Sequence, residues 1–300
     1  MKYKIFVVAA FAGVAALLYS FQKKLNDLSP RQTEFLSKYS IYPIETPPTA
    51  TFCGEAVPLK DFDVKERFEN ELLVNTYWQS QTILLMKRSK RWFPVIEPIL
   101  KKNNIPDDLK YLAVAESGFL NVVSPSGATG FWQFLNATGK SYGLEINDEV
   151  DERYHLEKST EAACKYFLEA YAEFKSWSLV AASYNMGIDG VKKQIEKQKA
   201  DSYWNMVLNT ETSRYVFRIM ALKEIISQPA KYGFQLLPAD YYQPLIYSVV
   251  TVDSSITDLA DFSLKNKINY KQLKIMNPWL RQNFLTNKAK KKYSIKIIRS

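Results

Sequence analysis

Through the middle of this chain apolar residues recur every three or four positions and almost never every two, which predicts helix after helix. Val64, Phe68 and Leu72 are spaced by four, so residues 61–89 read as one helix. Pro94 sits at a favoured first-turn position and reads as the start of the next, carrying Val95, Ile96, Ile99 and Leu100. Pro106, followed by Asp107 and Asp108, opens a third, which Gly118 can stop. Ser159 can cap a helix that buries Ala163, Phe167, Tyr171 and Phe174. Ser176 can cap another that Gly187 ends, and residues 211–227 place Tyr215, Ile219, Leu222 and Ile226 on one face. After Pro238 the character changes to strand (245–252), helix (255–264), short helix (270–276) and strand (293–298), a small βααβ module. Residues 22–60, with Pro43, Pro47, Pro48 and Pro58 among short polar runs, read as a linker or extended wrap. The fold class is mainly α.

One helical face ends in an unexpected residue. Leu109, Leu112, Ala113 and Glu116 stand at i, i+3, i+4 and i+7, so a carboxylate closes an apolar stripe where another Leu is expected. A carboxylate withdrawn from water raises its pKa and holds a proton, the condition of a general acid. The competing reading leaves Glu116 at the rim in the last turn, in water, and spacing alone favours it. Beyond this helix, Gly127 and Gly130 let the backbone turn sharply. They lack the Lys-Ser/Thr ending and preceding strand of a phosphate loop. Trp177, Val180 and Tyr184 share a face, so Tyr184 points inward and its hydroxyl needs a partner.

The scarce residues narrow the chemistry. His155 is the one histidine, and its polar neighbourhood reads as surface. Cys53 and Cys164 are the two cysteines; no zinc spacing is present, and a Ser-His-Asp triad would rest wholly on His155. Acid–base work therefore falls to Glu or Asp. Cys164 reads as a small core residue, and a Cys53–Cys164 disulfide stays open for an oxidising compartment. The 300 residues suffice for one domain of ordinary size plus a smaller one. The formal charge of +9 favours anionic partners, and Lys288, Lys290, Lys291 and Lys292 form a basic run, a solvated turn or a patch for an anionic polymer. Lys2 and Lys4 precede an apolar run, Ile5 to Tyr19, so residues 1–21 read as a secretory signal or an uncleaved membrane anchor. No A-x-A site follows, which favours the anchor, and no Cys ends the run for acylation. Export argues against a nucleic-acid partner.

Several motifs then fall in a recognisable order. Glu116-Ser117, Ser124-x-x-Gly127-Ala128-x-Gly130, Phe131-Trp132-Gln133 and Ala182-Ser183-Tyr184-Asn185 resemble the lytic transglycosylases of the SLT type, supported by residues 138–144, Asp151-Glu152-Arg153 and Glu211-Thr212-x-x-Tyr215-Val216. The resemblance, clearest over residues 95–232, implies a lysozyme-like helical domain behind a helical extension (22–94), acting on peptidoglycan glycan strands without a cofactor or metal. It implies that Glu116 is the catalytic acid and base, cleaving the MurNAc–GlcNAc β-1,4 bond to leave 1,6-anhydro-MurNAc in the periplasmic cell envelope. By the same resemblance Ser124, Gln133, Tyr184, Asn185 and Tyr215 bind the sugar or orient the acid. Ser183 stands where Ala is more usual, and Trp132 stands where Met is common, which implies a differently shaped cleft floor. A hydrolytic muramidase remains an alternative, with a second carboxylate such as Asp151 from the NDEVDER cluster. So does a wall-binding protein without catalysis.

Residues 245–300 resemble a LysM domain in Tyr247-Ser-Val-Val-Thr-Val, Leu273-x-x-Met276-Asn277-Pro278 and the final strand. Asp253-Ser254-Ser255 replaces the usual Gly-Asp-Thr/Ser turn, and the closing Pro is missing.

Overall fold

The computed structural model describes residues 29–30, 32–34 and 41–299, so the signal-or-anchor expectation for residues 1–21 lies outside the described residues. The chain divides into a unit of residues 1–43 and a unit of residues 44–300. In the first, a short helical turn at residues 32–34 is capped reciprocally. Ser29 Oγ accepts from the Gln32 amide at 3.2 Å, and Gln32 Oε1 accepts from the Ser29 amide at 2.8 Å.

The second unit begins with a two-residue hairpin, β1 (Thr51–Phe52) and β2 (Glu55–Ala56), then α1 (Phe62–Tyr77) and α2 (Gln79–Lys102). A 3-10 turn at Asp107–Leu109 leads into α3 (Lys110–Ser117), and the short α4 (Asn136–Ser141) follows an irregular loop. Then come α5 (Leu156–Phe174), α6 (Trp177–Met186), α7 (Ile188–Gln198) and α8 (Thr210–Ser227). Helix α8 packs against α1, α3 and α6, and α2 against α5. The core between them holds fully buried Leu72, Ile96, Leu112, Trp132, Phe167 and Phe217.

Three local expectations are corrected. Pro94 does not start a helix: α2 runs from Gln79 through both Pro94 and Pro98, and the break falls earlier, at Trp78. Lys90, Pro94 and Pro98 lie on the exposed face, so the carbonyls that lose an amide partner face water. The buried stripe Leu85, Met86, Ile96 and Leu100 continues beneath them. Ser159 does not cap α5, which begins three residues sooner at Leu156; it is buried inside the helix and donates to the Leu156 carbonyl at 3.2 Å. Part of the expected linker is a packed strap. Phe52 of β1 is fully buried, and Glu55 caps α6 by accepting from the Trp177 and Ser178 amides at 2.6 and 3.3 Å.

The C-terminal module is β3 (Tyr247–Val252), α9 (Leu259–Lys265), α10 (Tyr270–Met276) and β4 (Tyr293–Ile298), as the pattern predicts. β3 and β4 pair antiparallel from Tyr247 opposite Ile298 to Val252 opposite Tyr293. Its own core contains Leu259, Leu273, Trp279, Leu280, Leu285 and Ile295, together with Val150 from the loop after α4. His155 is not a surface residue: its side chain is 11% exposed, faces Trp279 of the module at 5.7 Å between centroids, and lies 3.3 Å from Glu157. Nothing in its flanking sequence announces that a second domain covers it. Lys291 of the basic run is neither free nor simply solvated, since it pairs with Glu145. Both cysteines are free thiols, and burial raises the pKa of each. No helix among the described residues is long and apolar enough to cross a membrane.

Candidate active site

Helix α3 places the candidate acid, Glu116, in its last turn. Leu109, Leu112 and Ala113 are fully buried along the predicted stripe, and the stripe delivers Glu116 to the floor of a cleft of about 480 Å³. Gly118 ends the helix in the left-handed conformation (φ 56°), and Arg88 accommodates the turn by donating to the Gly118 carbonyl at 3.1 Å. Ser117 fastens the next turn of chain to the far side of the loop: its hydroxyl donates to the Phe131 carbonyl at 2.9 Å and accepts from the Phe119 amide at 3.1 Å.

The cleft wall is the glycine-containing loop that follows. Isolated bridges Val123–Thr129 and Thr129–Phe134 fold it on itself, and the Ser124 amide and hydroxyl both engage Ala128, at 2.8 and 3.0 Å. Gly130 is required twice over. Its φ is +81°, and a Cβ there would lie 2.1 Å from the Arg153 carbonyl oxygen. Gln133 takes a left-handed backbone (φ 49°), and its side-chain amide donates to the Val122 and Gly130 carbonyls at 3.1 and 2.7 Å.

Glu116 is held from behind by α8. Tyr215, 3% exposed, donates its hydroxyl to Glu116 Oε1. Burial pushes the Glu116 carboxyl up to about 7, while the Tyr215 hydrogen bond pulls it down, Glu211 raises it and Arg218 lowers it. The carboxyl is thus poised to hold or release a proton near neutrality. Tyr184 and Tyr215 are both raised well above the usual phenol range, mainly by burial and then by the nearby Glu116, so they act as neutral hydrogen-bond donors.

The structure brings Glu116, Ser124, Gln133, Tyr184 and Asn185 to one cleft. Tyr215 is not on the cleft surface but buried behind Glu116. The inward Tyr184 hydroxyl finds its partner in the Trp132 carbonyl at 2.7 Å, and its ring packs on Phe134, Tyr166 and Phe167. Asn185 donates to Glu211 at 3.0 Å and accepts from the Thr212 hydroxyl at 2.6 Å. Two expectations fail here. Trp132 does not form a cleft floor, because it is fully buried and bonded to Thr160 at 2.9 Å. Asp151 is not a second carboxylate in the cleft; it is committed to Arg153 through hydrogen bonds of 3.0 and 2.7 Å and lies outside the cleft lining.

Sequence reasoning named two residues as motif positions without giving either a role. Glu211 lines the cleft beside Glu116 and Asn185. Its signal was its place four residues before Tyr215, which puts both on one face of α8. Arg153 holds the wall of the cleft by donating to the Gly127 and Phe134 carbonyls at 3.0 and 3.2 Å. Among the described residues no group of three or more His, Cys, Asp or Glu side chains is arranged to hold a metal ion.

Comparison with known families matches residues 93–207 to the transglycosylase SLT domain and residues 248–299 to the soluble lytic transglycosylase C-terminal LysM-like domain. The chain is 29% identical over 220 residues to the membrane-bound lytic murein transglycosylase D of Escherichia coli strain K12, over 71% of this chain and 47% of that protein. The protein of the same description from Escherichia coli O6:H1 matches to the same extent. The chain spans about half the length of the curated relatives it matches. With a Glu at the end of α3, a glycine-turned cleft wall and a C-terminal βααβ module, the chain is similar to the SLT-domain lytic transglycosylases over residues 93–207 and to their LysM-like C-terminal domain over residues 248–299.

Proposed function

We propose that the chain cleaves the MurNAc–GlcNAc β-1,4 bond of peptidoglycan in the cell envelope by lytic transglycosylation, with Glu116 as both acid and base. The observation that carries the reading is the carboxyl at the cleft floor, raised to about 7 by burial and hydrogen-bonded to Tyr215. Protonated, it gives its proton to the glycosidic oxygen as the C1–O bond breaks. As a carboxylate it then takes the proton of the MurNAc C6 hydroxyl, whose oxygen attacks C1 and closes the 1,6-anhydro ring. One carboxyl near neutral pKa serves both steps. Ser124, Gln133, Tyr184 and Asn185 line the path of the glycan, and Tyr215 orients the acid. Tethering to a membrane through residues 1–21 belongs to the same proposal.

One observation favours a second reading, hydrolysis by a muramidase. Glu211 lies in the same cleft and could activate water, a role usually taken by a second carboxylate. Purified sacculi digested with the full chain, followed by mass analysis of the released muropeptides, separate the two. Anhydro-MurNAc ends are expected, and reducing ends would replace the first reading by the second. Release by Glu116→Gln equal to that of the native chain would overturn both.

A further inference from the structure

The loop between α4 and α5 belongs to the catalytic domain by position, yet its tip is built into the C-terminal module. Val150, 1% exposed, lies in the module's core and pairs with Leu280 in an antiparallel bridge. The main chain is fixed on both sides of it. The Arg281 amide donates to the Glu149 carbonyl at 2.7 Å, and the Asp151 amide donates to the Trp279 carbonyl at 2.9 Å. Side chains extend the seam: Glu149 accepts from the Thr286 amide at 2.6 Å, Gln282 donates to the Asp148 carbonyl at 3.0 Å, and Glu145 accepts from the Tyr293 hydroxyl at 3.0 Å. A module merely tethered by a linker would not lend its core to a loop of its neighbour.

The other end of this loop reaches the active site. The residue whose amide the module holds, Asp151, uses its carboxylate to fix the buried Arg153 guanidinium at two points. Arg153 in turn donates to Gly127 and Phe134, on opposite sides of the cleft-wall turn that carries Ser124 and Gln133. Its own carbonyl is the atom against which Gly130 packs. From Trp279 of the module to the cleft wall the connection therefore passes through two side chains, both about nine-tenths buried and both fully engaged.

We propose that the LysM-like module is a structural member of the active site, in which it holds Val150 and Asp151 so that Arg153, acting as a positioning residue, fixes the cleft wall in its glycan-binding shape. The kinetic consequence rests on the transglycosylase reading; the structural one does not. Disturbing the module's grip on Val150 loosens a wall on the opposite side of the loop, and severing Arg153 loosens that wall while the module stays intact.

The test uses the full chain with Val150→Asp, Arg153→Met and Arg153→Lys. Hydrogen exchange of residues 122–134 is read by mass spectrometry, alongside kcat and KM on a soluble glycan fragment. Val150→Asp is expected to speed exchange in 122–134 by about tenfold or more and to lower kcat/KM similarly. The pH midpoint set by Glu116 should stay in place, since α3 and α8 are untouched. Arg153→Met should do the same while residues 246–299 keep native protection, and Arg153→Lys should recover part of the loss. A role limited to overall stability would lower the melting temperature and leave KM and the 122–134 amides of the folded variant unchanged. If Val150→Asp does not fold, Val150→Ala is read in its place, with an expected change of about threefold in exchange. Native exchange in 122–134 for the folded Val150 variant overturns the inference whatever the activity. A native chain that releases no muropeptide overturns the functional reading and leaves the exchange result to decide this one.

Discussion

Replacing Glu116 by Gln should make the protein more stable at neutral pH and nearly indifferent to the change in acid. The carboxyl titrates at about 7 in the folded chain against 4.5 for the unperturbed group. Between those two values the unfolded chain has lost the proton and the folded chain still holds it. The folded state therefore binds more protons, and stability falls as pH rises. A difference of about 2.5 pKa units at 1.36 kcal/mol each amounts to about 3 kcal/mol, absent below pH ~4 and fully developed above pH ~7.5. Gln keeps an acceptor for the Tyr215 hydroxyl and has no proton to lose, so it escapes the whole penalty. For a domain of this size the difference in melting temperature should grow from near zero at pH ~4 to roughly 6–12 °C at pH ~8. The assay is thermal unfolding of both chains at unit pH steps. A gap that is constant with pH, or one that favours the native Glu at pH ~8, would refute the argument that burial raises this carboxyl.

Three further outcomes follow from the same geometry. Tyr215→Phe removes a donor to the charged form of Glu116, worth about 1.5–3 kcal/mol, so the falling limb of kcat/KM against pH should move up by about 1–2 units; a downward move contradicts the assignment. Gly130→Ala should cost about 2–4 kcal/mol because its Cβ meets the Arg153 carbonyl, whereas Gly127→Ala, with the same sign of φ but open space, should cost about 1 kcal/mol; equal losses in denaturant titrations would disprove the close-approach account. Glu55→Ala leaves the first amides of α6 without their acceptor and should cost about 1–2 kcal/mol, with Glu55→Gln recovering part of it; an unchanged unfolding midpoint for the Ala variant would show that the cap contributes nothing.

What was legible in the sequence was whatever depends on neighbours along the chain. The apolar stripe ending at Glu116, the stop at Gly118 and the βααβ pattern follow from residues a few positions apart. The misreadings have the same origin. Pro94 looked like a helix start because its first-turn preference is local, whereas the buried stripe beneath it is set by packing against α5. His155 looked exposed because its neighbours are polar, and Trp279, which covers it, stands in another domain. At the site, Tyr215 and Glu116 meet across 99 positions, so only the order of motifs hinted at the pairing. The carbonyls of Gly127 and Phe134 that Arg153 serves, 26 and 19 positions away, were out of reach for the same reason. A short acidic and basic run looks solvated unless the carbonyls it serves are visible.

The strap formed by β1 and β2 has a consequence for the order in which the molecule is made. Glu55 caps a helix 122 positions later, and Lys223 donates to the Thr51 carbonyl across 172 positions. At roughly 5–20 residues per second of synthesis, that last partner emerges about 9–34 s after Thr51 does. During this interval Phe52, fully buried at the end, has no finished surface to occupy. Helices α1 to α3 can form as they appear, but the strap, like the faces of α1 and α3 that pack on α8, must wait for that last helix. Closure of the strap is thus a late event on the folding path, in step with the packing of α1 on α8, which spans a similar length of chain.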